Sequence, residues 1–297
     1  MTSSATSSPA AIGFIGLGLL GQAMALRLAQ QGFALVVWNR EPERCTALAE
    51  AGAVVAASPQ EVARQCDVVC LCVIDGGAVR DVVFGPQGLV QAPRVPRILV
   101  DFSTVDPGET RAIAAQATEA DLRWIDAPVS GGPAAALAGQ LTLMCGADAK
   151  HLAAVQPVLA ALATRRTHVG AVGSGQEMKV LNQALVGATA VMLAEVLTLG
   201  RSLGLPLELV PSCLEAGLAD SVGLQRIWPR MASEQYEPPT GRASQMLKDL
   251  ENVDSLRAGG ELELPLLQAA VAQYRTYVKE RGAGDAETFS IPRLYHP

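Results

Sequence analysis

The chain has 297 residues, of which 49% are hydrophobic and 18% charged, and its formal net charge is -6. This length accommodates one large or two ordinary domains with a substantial buried core. The mildly acidic balance argues against a nucleic-acid or anionic-membrane partner. None of the six cysteines forms a CxxC pair. We therefore expect buried thiols in a reducing compartment and no metal site.

The first ten residues, MTSSATSSPA, have no basic region, no apolar core and no arginine. They resemble neither a secretory signal nor a mitochondrial presequence, so we interpret them as a disordered tail on a soluble, cytoplasmic protein. The most apolar stretch, 178–199, is interrupted by polar and charged residues, and we do not expect it to span a membrane.

Short β-branched runs alternate with Ala/Leu/Gln-rich helical stretches through the first half of the chain. The pattern predicts strands at 11–15, 34–38, 53–55, 67–73, 97–101, 122–126 and 141–145. The predicted helices between them are 19–31, 42–51, 58–64, 76–83, 106–119 and 149–162. This alternation favours an α/β fold with a doubly wound, Rossmann-like parallel sheet covered by helices on both faces.

From Ser174 onwards no convincing strand follows, and the sequence predicts an all-α C-terminal domain. Its predicted helices are 174–204, 206–217, 223–233, 244–258, 264–280 and a last turn at 286–292. The first is about 46 Å long at a rise of about 1.5 Å per residue. The turn residues of GAVGSG place the boundary near 172. We therefore predict an NAD(P)-binding domain at 11–172 and a helical domain at 173–297, joined through the long helix.

A glycine-rich sequence, G-x-G-x-x-G, lies between the first predicted strand and the first predicted helix. Its first glycine allows a tight turn, its second lets the backbone approach a pyrophosphate, and its third lets the helix pack close to the strand. The free N–H groups and the dipole of the helix N-terminus favour an anion there. We predict that a dinucleotide binds this loop, which consists of Gly16, Leu17, Gly18, Leu19, Leu20 and Gly21.

The second predicted strand is followed by Asn39 and Arg40, where an acidic residue would hold the 2′-hydroxyl of NAD. A carboxylate repels a 2′-phosphate, whereas an arginine pairs with it. NADP(H) is therefore favoured over NAD(H). The alternative is that Arg40 is a solvated strand-end residue and that either cofactor is accepted.

Three further motifs accompany this fingerprint: DFSTVDPGET at 101–110, DAPVSGGPAAALAGQLTLMCGA at 126–147 and GSGQEMKVLNQ at 173–183. A weaker one is MLKDLENV at 246–253. Together they resemble the β-hydroxyacid dehydrogenases, which include 3-hydroxyisobutyrate dehydrogenase, tartronate semialdehyde reductase and the glyoxylate/succinic semialdehyde reductases. The resemblance runs from about residue 11 to the end of the chain.

The resemblance implies roles for individual residues. Lys179 matches the catalytic lysine, and Asp249 a neighbour of the active site. The loop that holds the substrate carboxylate matches Ser130, Gly131 and Gly132, and a hydroxyl beside side-chain-free N–H groups suits a carboxylate. The implied cofactor contacts are Val73, Ile74, Thr104 and Lys248.

The long helix presents a polar face among apolar positions. Lys179, Asn182 and Gln183 are spaced i, i+3 and i+4 and therefore share this face, which we expect to line a cavity. Partial burial disfavours the charged form of an amine, so that Lys179 can exchange a proton with a substrate oxygen. Its charge would also stabilise the alkoxide that develops during hydride transfer. Asn182 would orient the lysine or the substrate.

The sequence departs from the family pattern at Gln183, which replaces a second asparagine, and near Gly241, where the family often has phenylalanine. We expect the second change to enlarge or reshape the pocket. The rival hypotheses are an imine reductase, which usually lacks the lysine, 6-phosphogluconate dehydrogenase, which has a longer helical region, and a non-catalytic dinucleotide-binding sensor or scaffold. Retention of Lys179 and Asn182 favours an NADP(H)-preferring oxidoreductase that interconverts a small β-hydroxy acid with its semialdehyde or keto acid. Its apolar helices predict a homodimer or homotetramer.

Overall fold

The computed structural model describes residues 11–258 and 262–295, so the predicted tail lies outside the described residues. Its strands form one sheet in the order β3-β2-β1-β4-β5-β6-β8-β7, with β9 paired to β8. The strands are β1 (Ile12–Ile15), β2 (Leu35–Trp38), β3 (Val54–Val55), β4 (Val68–Leu71), β5 (Ile98–Asp101), β6 (Arg123–Asp126), β7 (Val129–Ser130), β8 (Leu141–Gly146) and β9 (Ala163–Gly170).

The first six strands are all parallel, which confirms the predicted doubly wound architecture. The parallel arrangement ends at β6, because β8 runs antiparallel to both β6 and β7. The sequence predicts β8 but neither β7 nor β9. Chain order reverses between β1 and β4, which are neighbours in the sheet. In open α/β sheets this reversal is where ligands bind, outside the carboxyl ends of the strands.

Eight helices among the described residues belong to this part of the chain. They are α1 (Leu19–Gln30), α2 (Thr46–Glu50), α3 (Pro59–Gln65), α4 (Gly76–Phe84), α5 (Pro107–Glu119), α6 (Gly132–Ala138), α7 (Ala149–Ala154) and α8 (Gln156–Leu162). The predicted helix 42–51 starts as a 3-10 turn, Pro42–Cys45. The predicted helix 149–162 is two helices, because Pro157 has no N–H with which to continue the first one.

Successive residues of the central strands pack into separate cores on the two faces of the sheet. Phe14 and Val100 belong to one core, whereas Ile15 and Leu99 belong to the other. This alternation is what helices on both faces require. The ends of the central strands, from which the loops of the site start, are therefore buried between these cores.

The chain divides into two compact units between Lys179 and Val180, within the long helix α9, whereas the sequence places the domain boundary near 172. Gly204 adopts a φ of 69° just beyond the end of this helix. The helices from here on are α9 (Ser174–Ser202), α10 (Val210–Leu214), α11 (Val222–Ser233), α12 (Ala243–Ala258) and α13 (Pro265–Arg275), with short 3-10 or π segments at Leu207–Leu209, Thr276–Glu280 and Ile291–Leu294.

The second unit has its own apolar core, built from four helices and the C-terminal segment. Its two largest fully buried side chains are Trp228 and Tyr274. The indole N–H of Trp228 donates to the carbonyl of Leu207 at 2.8 Å, and the Tyr274 hydroxyl donates to the carbonyl of Thr288 at 3.0 Å. Each large aromatic therefore satisfies its polar atom inside the core.

Helix α9 is also the one described helix whose length and apolar composition would suffice to cross a membrane. Such a helix is weak evidence for a membrane span, since core helices of globular proteins share these properties.

Candidate active site

The glycine-rich loop after β1 has the geometry that its sequence predicts. Gly16 has a φ of 90°, and a Cβ there would lie 2.2 Å from the carbonyl oxygen of Cys72. A Cβ on Gly21 would lie 2.0 Å from the carbonyl oxygen of Gly16, so only glycine lets α1 approach the loop this closely. A Cβ on Gly18 would meet no atom within 4 Å. The space beside Gly18 is therefore open to a ligand.

Asn39 and Arg40, at the end of β2, differ in what they offer. The Asn39 side chain accepts a hydrogen bond from the Leu17 N–H at 2.8 Å and donates one to the Glu41 carbonyl at 3.1 Å. It thus ties the glycine-rich loop to the end of β2. Arg40 is exposed. The Glu41 carboxylate is paired with Arg44, and this hydrogen bond lowers the pKa of Glu41.

The loops after β4 and β5 are joined by a short polar contact. The Val73 N–H donates to the Ser103 hydroxyl at 2.9 Å. Ile74 follows Val73 and is exposed, and Thr104 follows Ser103 and is partly exposed. Both residues lie at the carboxyl ends of the strands. Because Gly16 packs on Cys72 and Val73, the structure brings the predicted cofactor residues of three loops to one edge.

The predicted carboxylate loop begins at Ser130, the last residue of β7. Gly131 has a φ of 131° and Gly132 a φ of 72°, values that favour glycine. A Cβ on Gly131 would lie 2.8 Å from the Cβ of Ala135, in helix α6, which the sequence does not predict. Ser130 precedes these glycines and is partly exposed. The loop is therefore tightly specified and carries a hydroxyl.

Lys179 lies in the second turn of α9 and is only 7% exposed. Its Nζ donates to the carbonyl oxygen of Val129 at 2.8 Å. Val129 immediately precedes Ser130, so the amine is held beside the predicted carboxylate loop. The lysine does not extend into bulk solvent.

Beyond Lys179, α9 carries two side-chain amides that belong to a chain of hydrogen bonds. The Asn182 amide N–H donates to the Gln183 carbonyl oxygen at 2.8 Å, and the Gln183 amide N–H donates to the Asp249 carboxylate at 2.7 Å. Lys248 Nζ lies 3.3 Å from the other Asp249 oxygen. A carboxylate only accepts hydrogen bonds, so Asp249 fixes the orientation of Gln183 and, through it, of Asn182.

The segment before α12 contains Gly241, near which the family often has phenylalanine. A Cβ on Gly241 would lie 2.9 Å from the Thr288 hydroxyl oxygen, and the Gly241 carbonyl accepts from the Thr288 N–H at 3.1 Å. A side chain at 241 would therefore meet the Thr288 hydroxyl.

Two cavities of about 300 and 190 Å³ are lined by none of the predicted residues. Two fully buried polar residues, Asp126 and Gln176, contact the loops of the site but are not predicted from the sequence. The sequence contains a feature that could have identified each of them. Asp126 is a carboxylate at the end of an apolar strand, and Gln176 precedes Lys179 by three residues on the same helix face.

Two family models match successive parts of the chain. The NAD binding domain of 6-phosphogluconate dehydrogenase matches residues 11–170. The model described as NAD-binding of NADP-dependent 3-hydroxyisobutyrate dehydrogenase matches residues 173–295. Together they cover most of the sequence and agree with the change from an α/β to a helical architecture.

Among similar proteins, the 2-(hydroxymethyl)glutarate dehydrogenase of Eubacterium barkeri is 33% identical over 264 residues, or 88% of this chain and 86% of the relative. The solved structure of 3-hydroxyisobutyrate dehydrogenase from Salmonella typhimurium has a TM-score of 0.86 and 26% identity, and covers 95% of this chain and 99% of its own. The structure of Psf3 in complex with NADP+ and 2-OPP has a TM-score of 0.88 and 26% identity, over 96% and 99% of the two chains.

Proposed function

Because the chain belongs to the β-hydroxyacid dehydrogenase family of NAD(P)-dependent enzymes, we propose that it interconverts a small β-hydroxy acid with its semialdehyde or keto acid. In this proposal Lys179 is the general acid and base. One observation carries it: a nearly buried amine lies at hydrogen-bond distance from the carbonyl of Val129, next to the Ser130 loop.

A nicotinamide dinucleotide fits the residues at the carboxyl edge of the sheet. The open space at Gly18 and the left-handed conformation of Gly16 suit the diphosphate, and exposed Arg40 suits a 2′-phosphate. Val73 and Thr104 would hold the nicotinamide end. The bound nucleotide supplies or accepts the hydride. The exposed guanidinium of Arg40 supports a preference for NADP(H).

The contact between Lys179 and Val129 supports a short substrate. The amine would meet the carbonyl or hydroxyl oxygen, while the Ser130 hydroxyl and the N–H groups of Gly131 and Gly132 would bind the carboxylate. Since Ser130 directly follows Val129, these two anchor points are close together. This arrangement suits a short substrate whose carboxylate lies close to the reacting carbon.

The names of two similar proteins agree with this length. 3-Hydroxyisobutyrate and 2-(hydroxymethyl)glutarate both carry a hydroxymethyl group on the carbon next to a carboxylate. They differ only in the second substituent of that carbon. We propose a 2-substituted 3-hydroxypropanoate as the substrate class.

In the reductive direction Lys179 gives a proton from Nζ to the carbonyl oxygen, and in the oxidative direction it takes the proton of the alcohol. Its cationic form stabilises negative charge on that oxygen. Asn182 lies one helical turn further along α9, where Gln183 and Asp249 hold its amide in one orientation.

The test is a reduction screen with glyoxylate and with succinic, tartronic and methylmalonic semialdehydes, using NADPH and NADH in parallel. We expect turnover of tartronic or methylmalonic semialdehyde, and a kcat/KM at least about tenfold lower for succinic semialdehyde, whose extra methylene misplaces the carbonyl. Failure to reduce any of them with either cofactor would favour a non-catalytic sensor. A preference for NADH would contradict the role of Arg40.

We also propose that the protein is a homodimer or homotetramer. Helix α9 exposes a stripe of apolar side chains whose spacing of three, four or seven residues places them on one face. The stripe consists of Met178, Leu181, Leu185, Met192, Val196 and Leu199, with Leu203 just beyond the end of the helix. A contiguous apolar surface of this length suits contact with a second copy of the chain.

A further inference from the structure

The first turn of α9 is fastened to the sheet by two side chains to which the proposed reaction gives no role. Asp126, the last residue of β6, and Gln176, in the first turn of α9, both have 0% exposure. Lys179 follows Gln176 by three residues, so these two side chains start from the same face of the helix. Whatever fixes this turn therefore fixes the point from which the lysine side chain extends.

Asp126 acts as a helix cap supplied from a distant part of the chain. One carboxylate oxygen accepts from the Gly173 N–H at 2.7 Å, and the other accepts from the Gln176 N–H at 3.0 Å. Caps usually come from the residue adjoining the helix. Here the cap joins the helix start to the carboxyl end of β6, and its negative charge lies at the positive end of the helix dipole.

Gln176 makes a second connection, to the loop after β5. Its side-chain oxygen accepts from the Val105 N–H at 3.2 Å, and its side-chain nitrogen donates to the Ser103 carbonyl at 2.8 Å. The Ser103 hydroxyl in turn accepts from the Val73 N–H. Thr104 lies between the two contact points of Gln176. The same turn that leads to Lys179 is thus tied to both predicted nicotinamide loops.

Two glycines let the turn approach the strand ends this closely. A Cβ on Gly175 would lie 2.3 Å from the Met144 carbonyl oxygen and 2.8 Å from the Asp126 carboxylate. A Cβ on Gly146 would lie 2.5 Å from the other oxygen of the same carboxylate. The close packing at these glycines and the four hydrogen bonds of Asp126 and Gln176 therefore hold the first turn of α9 in one position.

We infer that Asp126 and Gln176 are positioning residues, which hold the first turn of α9 on the ends of β5 and β6 and so set where the Lys179 amine lies relative to Val73 and Thr104. The catalytic consequence rests on the proposed function. The position of the amine does not, because it can be measured without substrate or cofactor.

The measurement is trace acetylation of lysines in the whole protein by acetic anhydride, followed by mass spectrometry, with exposed Lys279 as the internal reference. Asp126→Asn replaces one acceptor with a donor that faces an N–H group, and Gln176→Met keeps the length but removes both hydrogen bonds. The control is Asp148→Asn, since Asp148 caps α7 through the Lys150 N–H at 2.9 Å and α7 carries no predicted site residue.

We expect Lys179 to be acetylated at least about threefold faster in Asp126→Asn and Gln176→Met, because a released first turn exposes its amine. The rate in Asp148→Asn should match the wild-type rate. In the same Asp126→Asn protein, kcat should fall at least about tenfold through misplacement of the amine. The Kd of NADPH should stay within about threefold, since the glycine-rich loop is untouched.

Unchanged Lys179 acetylation in both folded variants would overturn the inference. So would an equal increase in Asp148→Asn, or failure of both variants to fold, since either result would make the two residues general supports of the structure. If acetylation rises as expected but the wild-type protein reduces no semialdehyde, the positioning of the amine is supported and the proposed function fails.

Discussion

Asn39 and Arg40 are neighbours in the chain but differ in whether their side chains are available to bind a cofactor. Both ends of the Asn39 amide are engaged by the protein itself, so this side chain shapes the glycine-rich loop. Arg40 is exposed, and the carboxylate nearest to it in sequence, Glu41, is paired with Arg44. A 2′-phosphate at this position would therefore meet a cation beside a neutralised ion pair.

Arg40→Ala should raise the KM for NADPH by at least about tenfold and leave the KM for NADH within about twofold, since only NADPH carries the 2′-phosphate. The comparison is steady-state kinetics of the reaction that the screen identifies. Arg97→Ala is the control. Arg97 lies just before β5, at the amino ends of the parallel strands, whereas Arg40 lies at their carboxyl ends. Equal effects on the two cofactors would disprove the assignment of Arg40.

The buried carboxyl of Asp126 predicts a pH dependence of stability. Burial raises its pKa from 3.8 to about 6, in opposition to the N–H groups of Gly173 and Gln176. Between these pH values the folded protein keeps a proton that the unfolded chain has lost. The stabilisation from this group is therefore fully present below about pH 4 and is lost as pH rises to about 6.

The difference in Tm between wild type and Asp126→Asn should accordingly fall as pH rises from about 4 to about 6, and should be constant above about pH 7. The Cys145 thiol, which interacts with Asp126, does not titrate in this range, because burial raises its pKa to about 12. A Tm difference that is independent of pH would show that the carboxyl is not perturbed in this way.

Helices α9 and α12 meet at a glycine in the second unit. A Cβ on Gly187 would lie 2.6 Å from a methyl carbon of Leu250 and 3.1 Å from its Cγ. Gly187 lies one turn beyond Gln183, and Leu250 follows Asp249. The absence of a side chain at 187 therefore lets the two helices approach closely enough for the hydrogen bond between Gln183 and Asp249.

Gly187→Val should destabilise the second unit by about 1–3 kcal/mol through overpacking against Leu250, and should lower Tm. Gly223→Ala is the matched control. Its added Cβ would lie at an ordinary contact distance of 3.5 Å from Thr189, so Tm should stay the same or rise slightly. If both variants melt at the wild-type temperature, the close approach at Gly187 does not constrain these helices.

Patterns of apolar residues predict an element well where the element is buried along its length. Strand β5 is buried at every position, and its sequence ILVD shows this directly. Strand β9 is missed because it lies at the end of the sheet with most of its ATRRTHVG sequence exposed, and it lacks the apolar alternation that marks a half-buried strand. Strand β7 has only two residues, too few for any periodicity.

Some features of the candidate site can likewise be predicted from the sequence, and others cannot. The glycine-rich loop and Lys179 are recognisable because their chemistry is local in sequence. The contact between Lys179 and Val129 joins residues fifty positions apart, and so does one of the Asp126 bonds to α9. The approach of Thr288 to Gly241 is equally non-local. Such contacts depend on tertiary packing, which local periodicity does not encode.

For the whole molecule, the apolar stripe on α9 predicts self-association. Leu185 at its centre is 71% exposed. Leu185→Glu places a charge where the proposed interface excludes water, and should convert the wild-type oligomer to single chains in light scattering coupled to gel filtration. Leu266→Glu is the control, since Leu266 is 73% exposed on α13 and lies outside the stripe. Wild-type protein that elutes as single chains at micromolar concentration would refute this proposal.

In the proposed reaction one amine, on Lys179, performs the proton transfer while other residues bind the nucleotide. Lys179→Ala, assayed with the best substrate of the screen, should lose kcat by at least about 10³-fold. Its Kd for NADPH, measured by the fluorescence of the reduced nucleotide, should stay within about threefold of wild type. Retention of most turnover by Lys179→Ala, with normal NADPH binding, would show that Lys179 is not the proton donor and acceptor.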